Sequence, residues 1–117
     1  MDIVINGQEY TMKTSLRVAY QMQSEFGHKP YMQILQEVDK MKLEQQIKLL
    51  YISFNLANPN VMTFNQFLDY FLDEGAFVQV TKKMAELIEA ITYNGMSPEE
   101  IEASKKDTAG VDVPAMV

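Results

Sequence analysis

The Asn6-Gly7 dipeptide constrains the chain more than any other local feature, because both residues tolerate the positive φ that a type I′ hairpin turn requires. It sits inside Met1 to Met12, where alternation places Ile3, Ile5, Tyr10 and Met12 on one side and Asp2, Val4, Glu9 and Thr11 on the other. A two-residue turn there pairs Ile5 with Gln8, Ile3 with Tyr10 and Met1 with Met12. A lone two-stranded ribbon is marginal in water, so the rest of the chain has to cover its apolar side.

That remainder reads as helix, cut by turn residues. Thr14 or Ser15 caps a first helix with the stripe Leu16, Ala19, Tyr20, Met22 and Phe26, and Gly27 ends it. Pro30 takes the N1 position of a short helix with Tyr31, Ile34, Leu35 and Val38 facing inward. Asp39 is expected to cap a third helix running to about Leu56. Its apolar positions (Met41, Leu43, Ile47, Leu49, Leu50, Tyr51, Ile52, Phe54, Leu56) are too many for one face, which makes this helix central. Asn58-Pro59-Asn60 breaks it.

Thr63 and Gln66 form a capping box ahead of Phe64, Phe67, Leu68, Phe71 and Leu72. After Gly75 a fifth helix carries Phe77, Val80, Met84, Leu87, Ile88 and Ile91 and stops at Asn94-Gly95. Ser97, Pro98 and Glu100 read as cap, N1 and N3 of a last short helix containing Ile101. The expected fold is mainly α (α+β): an N-terminal hairpin over residues 1–13, then a compact bundle of five to six helices. One domain spans residues 1–106, and residues 107–117 form a flexible tail.

Charge and inventory narrow the function. The net charge is −6 over 117 residues. Residues 1–68 balance six acids with six bases, whereas residues 69–117 set ten acids against four lysines. Such a field repels phosphate backbones, and Arg17 is the only arginine, so nucleic acid is not expected as a partner. The acidic half suits a solvated surface or a basic partner segment. No apolar run reaches the ~20 residues that a membrane span needs. The N-terminus lacks the basic and apolar regions of a signal peptide. With no cysteine present, the expected location is the cytoplasm, without a membrane partner.

Catalytic chemistry finds few candidates. His28 is the only histidine and falls between Gly27 and Lys29 in a loop. Asp69 and Asp73 stand at i,i+4, but neither a calcium loop nor a histidine accompanies them. The chain is expected to be no enzyme, with no cofactor and no metal. Of its nine methionines, Met22, Met41 and Met84 fit core stripes, while Met32, Met62, Met96 and Met116 have no core slot. Tyr70 lies between the Phe67/Phe71 stripe and the acidic side, where an amphipathic ring suits an interface. Tyr70, Phe67, Phe71 and Met62 are the expected protein-interface residues.

The order of these signals resembles a known family. A hairpin written Ile3-x-Ile5-Asn6-Gly7-x-Glu9-Tyr10 runs into a helix with Leu16-Arg17-x-Ala19. A Phe26-Gly27 helix end follows, then a Leu-rich helix and a Thr63-Phe64-x-x-Phe67-Leu68-Asp69 helix. Over residues 1–95 this resembles the tail assembly chaperones of long-tailed bacteriophages and prophages of Gram-positive hosts. The resemblance implies a partner, the long helical tape measure protein, which such chaperones coat until tail tube subunits displace them. It also implies work in the host cytoplasm and, in many members, a longer form made by ribosomal frameshifting. A small head–tail or tail completion protein, an acidic adaptor for a basic partner, and self-association remain open alternatives.

Overall fold

The structure, a computed structural model, describes residues 1–74, 77–94, 97, 99–100 and 102–103, with Phe77 described by its backbone alone. Strands β1 (Asp2–Ile5) and β2 (Gln8–Thr11) form an antiparallel hairpin in the expected register, with Ile3 opposite Tyr10 and Ile5 opposite Gln8. Asn6 and Gly7 both have positive φ, at 54° and 79°, as the type I′ turn demands. Among the described residues the named helices that follow are α1 (Leu16–Glu25), α2 (Tyr31–Gln36), α3 (Leu43–Ala57), α4 (Phe64–Asp73) and α5 (Phe77–Thr92). The protein is thus mainly helical with an N-terminal hairpin.

Helix α3 is the hub, as its wide stripe required. It packs against α1, α4, α5 and β2, and Ile47, Leu49, Leu50, Ile52 and Phe54 on it are all buried. Ile3, Ile5 and Met12 of the hairpin, Ile34 of α2, Phe67 of α4 and Val80, Met84, Leu87 and Ile91 of α5 complete one core. Each such side chain removed from water contributes roughly 1.5–3 kcal/mol, which is why the ribbon can persist on this support.

Several helix ends close as their residues dictate. The Thr63 hydroxyl accepts from the Gln66 N–H at 3.2 Å while Gln66 Oε1 accepts from the Thr63 N–H at 2.8 Å, a complete capping box. Ser15 caps α1 through its hydroxyl. At the far end of α1, His28 N–H donates to the Gln23 carbonyl at 2.8 Å across Gly27, whose φ is 77°. This is a Schellman closure. Ser97 and Glu100 exchange their capping hydrogen bonds, at 3.1 and 3.2 Å, ahead of helical Glu99, Glu100, Glu102 and Ala103.

Four expectations need correction. Leu16 and Tyr20 are exposed, and the buried face of α1 is Val18, Ala19 and Met22. Ala19 and Met22 stay inside, and Val18 joins them in place of Leu16 and Tyr20 because α1 packs against α2, α3 and α5. Asp39 does not cap α3; it lies in a 3-10 turn, Val38–Lys40, and the helix begins only after Lys42. Lys42 has no side-chain acceptor, so only half a capping box forms there, its N–H donating to Gln45 Oε1 at 3.3 Å. Pro30 stands just before the first helical residue instead of on it. Leu72 faces solvent on α4. Gly75, Gly95, Met96, Pro98, Ile101, Met116 and the tail 107–117 lie outside the described residues.

Candidate functional site

Helix α4 turns Phe67 and Phe71 inward, and the stripe flanking them is Gln66, Asp69, Tyr70 and Asp73, spaced as one helical face with Gln66, Asp69 and Asp73 exposed. Beside it lie the hairpin tip, Ile5 and Asn6, and the loop residues Val61 and Met62. Together with Glu74 these segments line a groove of about 510 Å3. Val61 is 48% exposed in it, while Met62 and Tyr70 are half-buried against the core.

The walls are fixed by contacts beneath them. The Tyr51 hydroxyl of α3 donates to the Met62 carbonyl at 2.9 Å, pinning the loop. The Tyr70 ring meets Phe71 edge-on at 5.1 Å. Phe71 in turn packs on Phe67 at 4.9 Å, and Phe67 on Phe54 at 5.1 Å. Burial raises the Tyr51 pKa above its ordinary value, which keeps the hydroxyl available as a donor.

Of the four expected interface residues, the structure brings Tyr70 and Met62 to this groove. Phe67 and Phe71 are 0% and 4% exposed and belong to the core, so neither presents a ring to a partner. Their removal follows from helical period: positions 67 and 71 share one face, and 70 lies about 100° away. The reading from sequence weighed Asp69 and Asp73 only as a pair that could hold a cation, and passed over Val61, the hairpin tip and Glu74. Spacing of 66, 69, 70 and 73 marked the helix face; the tip and the loop reach it only through the fold.

The electrostatics of the groove are one-sided. Its lining carries the carboxylates of Asp69, Asp73 and Glu74, with no lysine or arginine. Among the described residues none of the three carboxylates takes part in an ion pair. A second groove, between α1, α2 and α3, contrasts with it. There Glu37 pairs with Lys29 at 3.4 Å and Glu25 with Lys48 at 3.6 Å, and the Lys48 ammonium lies 4.5 Å from the Phe64 ring centroid. Two of the three acids lining the second groove are thus paired by lysines of the same lining.

His28 is exposed in the turn after α1, with φ of 59°. No cluster of three or more His, Asp or Glu side chains suited to a metal occurs among the described residues. None of the described helices is long and apolar enough to cross a membrane. Compared with known proteins, the chain matches no family model, no curated protein and no solved structure.

Proposed function

We propose that this domain works by binding other proteins and not by catalysis, and that it is a tail assembly chaperone holding a tape measure protein soluble during phage tail assembly in the host cytoplasm. The observation that carries the reading is the groove on α4, where Val61, Met62 and Tyr70 offer apolar surface beside the hairpin tip. An exposed valine beside half-buried Met62 and Tyr70 in a concave, fixed site suits a partner segment with its own apolar face. The resemblance supplies the identity of that partner, and its marker residues Ile3, Ile5, Asn6, Gly7 and Tyr10 build the hairpin that walls the groove.

Co-expression tests this. With the tape measure protein encoded beside this chain, the partner is expected to move from the pellet to the soluble fraction and to purify with the chaperone. Equal aggregation of the tape measure protein with and without this chain would overturn the proposal. Finished tail particles should lack the chain; its retention there would favour a structural tail component instead. The unpaired carboxylates of the groove favour one further reading, an adaptor for a basic partner, in which the complex would fall apart at moderate salt.

A further inference from the structure

Asp69 and Asp73 repel each other as like charges at i,i+4 on one helix face. The end of α4 compounds this. Its last residue is Asp73 and its C-cap is Glu74, with no basic residue in the final turn. The negative pole of a helix dipole lies there, where a cation is favoured and carboxylates are not. Three carboxylates with no ion pair among the described residues and a helix C-terminus therefore address the same groove, which Val61, Met62 and Tyr70 also line. Elsewhere in the protein, acids near lysines have found them: Glu25 with Lys48, Glu37 with Lys29, Glu86 with Lys83.

We infer that this groove docks a basic segment of a protein partner, in which lysine or arginine side chains flank an apolar residue. The inference rests on the protein-binding reading above and names the chemistry of what is bound. The apolar residue sits over Val61, Met62 and Tyr70, and its cationic neighbours reach Asp69, Asp73 and Glu74. Binding relieves the repulsion along α4, so the site gains from a cation what no described residue supplies. Phosphate-bearing partners, nucleic acid or anionic lipid, are repelled by the same field. The groove's walls are already held by Tyr51 and Phe71, so little ordering is needed on binding.

The probe is a short acetylated and amidated peptide of leucine and lysine, titrated into isotope-labelled protein. Amide shifts are expected to concentrate at Val61, Met62, Gln66, Asp69, Tyr70 and Asp73. The Asp69→Asn/Asp73→Asn variant should weaken binding by about tenfold or more. A charge-matched control, Asp39→Asn/Glu44→Gln, should change it less than about twofold, because both residues lie away from the groove. Replacing the peptide's leucines by serine should abolish binding. Equal weakening by both variants, or shifts spread over the whole surface, would reduce the effect to net charge and overturn the inference.

Two further arms separate this inference from the chaperone reading. If the wild type holds the tape measure protein soluble but the peptide misses the groove, the inference fails and the chaperone stands. If the peptide occupies the groove but the tape measure protein still aggregates, the groove stands and the chaperone reading fails. Sedimentation of wild type against Asp69→Asn/Asp73→Asn covers the remaining occupant: loss of an oligomer in the variant would assign the groove to a second copy and overturn the inference.

Discussion

At the scale of single residues, the positions that matter most combine packing with one directed hydrogen bond. Tyr51 lies against Phe54, Phe64 and Phe67, while its hydroxyl holds the Met62 carbonyl. Ser53, fully buried on α3, donates its hydroxyl to the Lys13 carbonyl, and the Lys13 N–H returns a bond to the Ser53 carbonyl at 3.1 Å. Gly7 has open space where a Cβ would stand, so any substitution there meets only the strain of its 79° φ. For Tyr51 the pH dependence has a definite sign. Its folded pKa is raised, so the folded state keeps the phenol proton where the unfolded chain, with a value of about 10, has lost it. Stability is then fully present below pH ~10 and falls as pH climbs from there through the folded pKa. Tyr51→Phe should cost about 1 kcal/mol at neutral pH through the lost bond to Met62. It should also shrink the alkaline loss of stability. Urea unfolding of both proteins at neutral pH and above pH ~10 reads both effects, and parallel pH profiles would refute the assignment.

At the scale of elements, the hairpin is secured by side chains that take the place of neighbouring strands. Val4 pairs across from Glu9 at a position whose backbone groups point away from β2. The Gln79 amide on α5 meets them: its Oε1 accepts from the Val4 N–H at 3.1 Å and its Nε2 donates to the Val4 carbonyl at 3.2 Å. On the other edge, Asn58 Nδ2 donates to the Thr11 carbonyl at 2.8 Å. Open strand edges invite pairing with other chains, and these amides close part of each. Gln79→Ala should destabilise the protein by about 1–2 kcal/mol and speed hydrogen exchange at Val4. Gln79→Glu should rescue little, because a carboxylate cannot donate to the Val4 carbonyl. Unchanged exchange at Val4 in either variant would show that the clip carries no weight. This clip also marks where sequence reading stops. The Asn6-Gly7 turn, the Thr63–Gln66 box and the stripe of α5 are local patterns and were legible as such. Gln79 and Val4 stand 75 residues apart, and nothing local marks a surface glutamine as a strand partner. Ser53 has no place in the apolar stripe of α3, yet its hydroxyl ties that helix to the chain leaving β2. Val18 displaced Leu16 because only the neighbours of a helix decide which of two nearby apolar residues is inside.

At the scale of the whole molecule, an aromatic chain joins the hairpin to the candidate site. Tyr10 meets Phe54 edge-on at 5.2 Å, Phe54 meets Phe67 at 5.1 Å, Phe67 meets Phe71 at 4.9 Å and Phe71 meets Tyr70 at 5.1 Å. The rings come from β2, α3 and α4, so the groove's two walls share one support. Half of the site was legible for the same reason that half was not. Tyr70 and Met62 follow from position along the chain, whereas the approach of Ile5 and Asn6 to α4 exists only once α3 has gathered both elements. Phe54 is the link common to them, fully buried and in ring contact with Tyr10, Tyr51 and Phe67. Phe54→Ala should therefore cost about 3–5 kcal/mol, a large share of the ~5–15 kcal/mol that holds a domain together. Because hairpin and α4 both lean on that ring, they should lose order together. The chain has no tryptophan, so fluorescence reports on its six tyrosines, Tyr10, Tyr51 and Tyr70 among them, while circular dichroism reports on the helices. In the variant the two signals should melt in a single transition at lower temperature. A hairpin that retains slow hydrogen exchange after α4 has lost it would mean that the two walls are held independently, and that the core is not the one unit described above.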